Sequence, residues 1–178
     1  MNTNYAPHNL YSVRADNPPA VRDRFREVLS RFGSGVVVIT STDQTGSPVG
    51  VTMGSFTSIS MEPPLVGFFA GHTSSTLPHI LEAGSFCVNV LSEDQHLLAR
   101  SFARSGSDKF SDVAWTMGQG GAPLLAGAHA WIECTVSARR PIGDHELVVG
   151  HVNALLVPFD TDPLLFHGSE FHGLRAHR

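Results

Sequence analysis

The chain has one lysine and two cysteines in 178 residues. Cys87 and Cys134 lack CxxC spacing and sit in apolar, strand-like runs, so they read as buried thiols of a reducing compartment, not as a disulfide framework. Charge of either sign is scarce. Charged residues make up 16% and the formal net charge is -4, so there is no basic field to gather nucleic acid or anionic lipid. Neither nucleic acid nor a membrane is expected as a partner. No apolar run approaches a membrane span, and the opening MNTNYAPHNLYSVRADNPP has no basic segment followed by an apolar one. A cytoplasmic location is the expectation. GxGxxG, a Walker loop, HExxH and GxSxG are all missing. A nucleotide therefore needs another device to hold it, and a serine hydrolase is disfavoured. The ten histidines are scattered, and the C-terminal His167, His172 and His177 read as surface residues, not as metal ligands.

What is present is a single-domain length with 42% hydrophobic residues, enough for a real core. Residues 1–17 carry no period and read as a flexible N-terminal arm, with one domain over 18–178. Pro18 to Phe32 places Val21, Phe25, Val28, Leu29 and Phe32 at helical spacing and Gly33 ends it, which predicts an amphipathic helix. Val36 to Thr40 is β-branched, Thr42 to Pro48 is rich in turn formers, and Gly50 to Thr57 resumes an extended pattern. A β-hairpin follows. Leu65 to Ala70 predicts a strand, Leu77 to Leu81 a short helix stopped by Gly84, and Phe86 to Leu91 another strand. Ser92 to Gln95 fits a capping box before a helix with Leu97, Leu98 and Phe102 on one stripe. Two long strands, about Ala130 to Arg139 and His145 to Val157, flank Pro-Ile-Gly-Asp. Strands that do not alternate regularly with helices favour an antiparallel barrel with helical decoration.

The stretch Gly50 to Leu65, GVTMGSFTSISMEPPL, is the most informative. Its hydroxyls are too dense for a core strand and too apolar in their flanks for a linker, which suggests the lining of a site for a phosphorylated cofactor. Ser74, Ser75 and Thr76 stand before the short helix, where unpaired amides favour an anion; the plainer reading makes Ser75 or Thr76 an N-cap. Lys109, beside Phe110, either holds a phosphate or is solvated, and position alone favours solvation. His145 enters a strand after Gly143-Asp144. It is either a turn residue or an imidazole projected into a cleft from a barrel rim.

FGSGVVVIT, GVTMGSFTSISMEPPLV, SSTLPHILEAGSFCVNVL, DKF, GAPLL, IECTV, GDHELVVGHV and PLLFHGSEF, in this order from Phe25 to Leu174, resemble the short-chain flavin reductase family, the reductase component of two-component flavin-dependent monooxygenases. The resemblance implies a mainly β fold, a split antiparallel β-barrel of Greek-key type, working as a homodimer. It implies FMN or FAD as flavin, NADH or NADPH as reductant, and a separate monooxygenase that receives reduced flavin. By the same resemblance Thr52, Met53, Gly54 and Ser55 run along the isoalloxazine and ribityl chain, and Phe69, Ala70 and Gly71 end the strand beneath it. Ser75 and Thr76 match the phosphate end, Ser101 and Phe102 a further wall, and Lys109 with Phe110 the basic-aromatic pair near the phosphate. His145 matches the histidine near the nicotinamide, with Pro48 to Val51 contributing to that pocket. Met53-Gly54 stands where many relatives carry a polar residue. Two alternatives on the same barrel are a non-catalytic flavin carrier and a protein that binds haem or pyridoxine phosphate.

Overall fold

The computed structural model describes residues 18–106 and 108–174; the arm expected over 1–17 and His177 lie outside them. The first helix, α1, covers Pro18–Leu29 and stops three residues short of the predicted Phe32. There the ladder tightens, with Arg31 N donating to Val28 O at 3.1 Å. Its apolar stripe is uncovered: Phe25 is 61% exposed and Phe32, just beyond the helix, 76%.

Seven strands form the main sheet: β2 (Val37–Thr42), β3 (Pro48–Met53), β4 (Thr57–Met61), β5 (Pro64–Gly71), β6 (Ser85–Val90), β9 (Ala130–Ile142) and β10 (His145–Leu156). Their order is β3-β2-β6-β9-β10-β5-β4, and each pairing is antiparallel. The edge strands β3 and β4 are consecutive in the chain. Laid flat, seven strands about 4.8 Å apart would separate those edges by roughly 29 Å. The link from Met53 to Thr57 reaches about 14 Å at most. The sheet must therefore curl until its edges meet, and Ser55 marks the seam. Its Oγ accepts from Phe69 N at 3.1 Å and donates to Phe69 O at 3.0 Å, tying the end of β3 to β5. The structure is thus a split antiparallel barrel, as the resemblance implied. β4 itself was not foreseen, because its hydroxyl-rich sequence read as cleft lining.

The barrel is filled by Ile39, Phe68, Phe86, Val88 and Val148. A second core lies outside it, where Val36, Val38, Leu91, Phe102 and Leu125 pack together. The run Val36 to Ile39 thus feeds alternate side chains to two cores, which explains why it is apolar at every position. A two-strand ribbon, β7 (Trp115–Met117) with β8 (Pro123–Leu125), covers this outer core. It is fastened by buried Asn89, which donates to Val38 O and Thr40 Oγ1 and accepts from Leu125 N at 2.7 Å. A small sheet, β1 (Ser34–Gly35), β11 (Leu165–His167) and β12 (Glu170–His172), closes the other side.

Two helices complete the frame around the cleft. α2 spans Leu77–Ala83 and α3 His96–Ala103. Before α3, Gln95 Oε1 accepts from Ser92 N at 3.1 Å, as the capping-box pattern requires. The long hairpin of β9 and β10 turns through two residues, Gly143 and Asp144, with Gly143 at φ +62°. That left-handed conformation is one glycine adopts without a steric penalty. Cys87 and Cys134 are buried and unbridged. Burial holds both thiols protonated, Cys134 pushed up to about 12 and Cys87 further.

Candidate functional site

The site is built where β3 passes beneath the start of α2 and the end of α3. Alternation along β3 turns Val51 and Met53 to one face and Thr52 to the other. Val51 and Met53 line an inner cleft of about 200 Å³ together with Gly71, Ser75, Thr76 and Phe102. Thr52 is absent from this lining. Its hydroxyl donates to Ala99 O of α3 at 2.7 Å, so it holds the helix against the strand.

Gly50 is the junction. A Cβ there would lie 2.7 Å from the Phe102 ring, so only glycine lets α3 pack this closely on β3. The Gly50 carbonyl accepts from Thr76 Oγ1 at 3.2 Å and from Lys109 Nζ at 3.0 Å. Lys109 also donates to Phe102 O at 3.1 Å. This overturns the solvated reading of Lys109. The side chain is partly buried between two carbonyls, and desolvation pulls its pKa below the usual lysine value. Two of its three N–H groups are engaged, which leaves one for a ligand. The start of α2 is likewise built differently from the simple cap. Ser74 Oγ accepts from Leu77 N at 3.3 Å, while Thr76 spends its hydroxyl on Gly50 and Ser75 is exposed.

Ser75, Thr76 and Lys109 line a second, outer cleft of about 280 Å³ as well, with Asp43, Pro48, His79 and Phe110 among its walls. Phe110 meets Phe102 edge-on, ring centroids 4.9 Å apart. Beside Gly71, which lines the inner cleft, His145 Nδ1 lies 2.7 Å from Asp144 Oδ1. The hydrogen bond from His145 holds the Asp144 carboxyl below its usual range. With Nδ1 facing this carboxylate, Nε2 turns toward Gly71: a Cβ on Gly71 would be 3.8 Å from it.

Of the residues singled out in the sequence, Met53, Gly71, Ser75, Thr76, Phe102, Lys109 and Phe110 share the joined clefts. Gly54 and Ser55 sit at the barrel seam, where a Cβ on Gly54 would be 3.0 Å from Ser34 Oγ. Ala70 is buried in the barrel core, Phe69 is 37% exposed beside it, and Ser101 faces outward from α3. Pro48 to Gly50 line the outer cleft, and Val51 the inner one. Sequence reasoning missed Asp43, which lay in a stretch read only as a turn, and His79, which lay inside the apolar pattern of α2.

Apolar and backbone walls, hydroxyls and one restrained ammonium fit a planar ring carrying a phosphorylated chain. A split antiparallel barrel with such a cleft at its seam defines a flavin-binding type of protein. The comparisons with known proteins name the family. The model of the flavin reductase like domain matches residues 29–175, and the chain belongs to that family. It is 40% identical over 152 residues to a flavin reductase of Pseudomonas putida, covering 85% of this chain and 89% of that one. An NADH:FMN oxidoreductase of Rhodococcus erythropolis is 39% identical, covering 83% and 79%. The reductase subunit of a flavin-dependent monooxygenase from Rhodococcus jostii is 40% identical, covering 85% and 77%. Among solved structures, component B of a nitrilotriacetate monooxygenase from Mycobacterium thermoresistibile superposes with TM-score 0.85 at 35% identity, covering 89% of each chain. An NADH:FAD oxidoreductase of Streptomyces globisporus, solved with NAD and FAD fragments, gives 0.83 at 35%, covering 88% and 94%.

Proposed function

We propose that this chain is an NADH-dependent flavin reductase that releases reduced flavin to a separate monooxygenase. The observation that carries the reading is the inner cleft, lined by Gly71, Ser75, Thr76 and Lys109, with His145 Nε2 turned toward Gly71. The names of the relatives support it: flavin reductase, NADH:FMN oxidoreductase, and the reductase subunit of a monooxygenase.

When bound, nicotinamide and flavin supply the hydride chemistry between them. The protein supplies position. Val51 and Met53 offer an apolar wall for the ring, and Phe102 backs it. Ser75 and the uncommitted N–H of Lys109 receive the phosphate, while Thr76 and Lys109 hold each other in place through Gly50. His145 is aimed by Asp144 so that Nε2 can hydrogen-bond the nicotinamide amide beside Gly71. Among the described residues no carboxylate lines the inner cleft, and of its two cations, Arg104 and Lys109, the lysine is already shared with two carbonyls. Such a site binds without great tightness and lets reduced flavin leave.

The working unit is a homodimer whose protomers are each one domain over 18–178. The uncovered apolar residues of α1, Phe25, Val28 and Leu29, together with Leu155, Leu156 and Val157 at the end of β10, support this, since exposed patches of this kind mark association surfaces. The test of function is NADH oxidation by the purified protein as free flavin is added. Rates that rise with flavin support the reductase. A retained yellow cofactor without turnover supports a flavin carrier instead.

A further inference from the structure

His145 and Glu146 are neighbours at the start of β10, so their side chains leave on opposite faces of the strand. His145 stands opposite Gly71 of β5, which lines the inner cleft. Glu146 stands opposite Ala70, a buried member of the barrel core, and directly opposed residues of antiparallel strands share a face. Its carboxylate is therefore set at the mouth of an apolar barrel. Arg139 of β9, opposite buried Val148, joins it there by the same rule. A carboxylate in such a place is costly unless it is partnered. Its partners are Arg139, whose Nε is 3.9 Å from Oε1, and His72, whose Nε2 is 3.9 Å from Oε2.

We propose that His72, acting through Glu146, is a positioning residue for the nicotinamide: the pair holds the strand that carries His145 in place against β5 and the cleft. This rests on the flavin reductase reading and adds how the nicotinamide end of the site is held.

Three observations carry it. The first is where His72 lies. It follows β5 between Gly71 and Thr73, both in the wall of the inner cleft, in a turn closed by Ser74 N on Gly71 O at 2.9 Å. Its own N donates to Asp144 O at 3.0 Å. One residue of the cleft wall is thus tied to the hairpin by its backbone at Asp144 and by its ring at Glu146. The second is burial. The Asp144 side chain is 94% exposed and that of Glu146 only 15%. Among the described residues, His72 with Glu146 is the one charge contact from this hairpin end to β5, and water screens it less than a contact on the open surface. The third is the shared field. The charged and titratable groups facing His72 are Glu146 of β10, Arg139 of β9, and Asp144 and His145 at the turn. The Asp144 carboxyl is held below its usual range first by the His145 hydrogen bond and, to a smaller extent, by His72. Both imidazoles therefore bear on the carboxylate that aims His145.

Steady-state kinetics with NADH and flavin varied separately test this in His72→Ala, Glu146→Gln and the double variant, each also made in a His145→Ala background and checked for folding by melting curves. The backbone bond from residue 72 to Asp144 survives in all of them. Expected are a rise of about threefold in the KM for NADH in each single variant, the scale of one partly exposed ion pair, no further rise in the double variant, and an unchanged KM for flavin. In the His145→Ala background neither change should have any further effect on NADH, because the side chain they position is gone. Glu146→Gln, which keeps the side-chain volume, carries the test if His72→Ala melts early. An unchanged NADH KM in the folded single variants, equal rises for NADH and flavin, or a loss of the same size in the His145→Ala background overturns the inference and leaves the reductase intact. Failure of wild-type protein to oxidise NADH with added flavin overturns the reductase reading itself, and the inference with it.

Discussion

Lys109 Nζ donates to the Gly50 carbonyl oxygen at 3.0 Å, so the one lysine of the chain is pinned to the strand that walls the cleft. Two of its N–H groups serve the protein, and the third is the one proposed for the flavin phosphate. Lys109→Met should raise the KM for FMN about tenfold or more, the usual scale for a charge-assisted hydrogen bond. Riboflavin, which has no phosphate, should be reduced with a much smaller change. Equal losses for the two would place the lysine in a purely structural role.

The same contrast applies to Ser75 and Thr76. Replacing both with alanine should weaken FMN more than riboflavin. Thr76→Ser, which keeps the hydroxyl on Gly50, should retain the Gly50 hydrogen bond and recover most of the loss.

Gly50→Ala forces a methyl group to within 2.7 Å of the Phe102 ring. Overpacking of this kind costs about 1–3 kcal/mol, or roughly 2–12 °C in Tm for a chain of this size. The flavin KM should rise with it, because Thr76 and Lys109 share the displaced carbonyl. A melting curve and a flavin titration on one sample check both outcomes.

His145→Ala should raise the KM for NADH about five- to tenfold with a smaller effect on flavin, on the scale of one hydrogen bond. Asp144→Ala should move the same parameter in the same direction. The Asp144 carboxyl has a lowered pKa in the folded state, so its contribution is present above the ordinary aspartate value and is lost only as pH falls through the lower folded value. An NMR titration of that carboxyl should give a midpoint below 3.8.

Cys87 and Cys134 should resist thiol reagents at pH 8 until the protein unfolds. Their folded pKa values are raised, so above the ordinary value of 9.0 the unfolded state sheds protons that the folded state keeps. Stability should therefore decline as pH climbs from about 9 toward 12. Parallel denaturant titrations across that range measure the slope.

These outcomes depend on features that were unequally visible in the sequence. The run Val36 to Thr40, the two long strands and the helix at Leu77 carry strong local patterns, and local pattern is what a single sequence displays. The barrel came from their count and the flavin from the ordered motifs. The burial of Lys109 was not legible, because the carbonyl that anchors it lies 59 residues away. Thr52 reads as a cleft hydroxyl until its strand's register turns it toward Ala99. His79 is hidden by its neighbours, since Pro78, Ile80 and Leu81 make it look like one polar position on an ordinary helix.

The seam at Ser55 bears on how the chain folds. The β9–β10 hairpin needs only a two-residue turn and can form early. Joining β3 to β5 requires β2, β6 and β9 to be in place first, since the edges meet only when the sheet has curled. Closure therefore comes late and is paid for in non-local order, which places folding in the slow range of milliseconds to seconds. The Ser55–Phe69 bonds themselves join residues only 14 apart and extend the β4–β5 pairing beyond Thr57 and Gly67, so Ser55→Ala should slow refolding as well as speed unfolding.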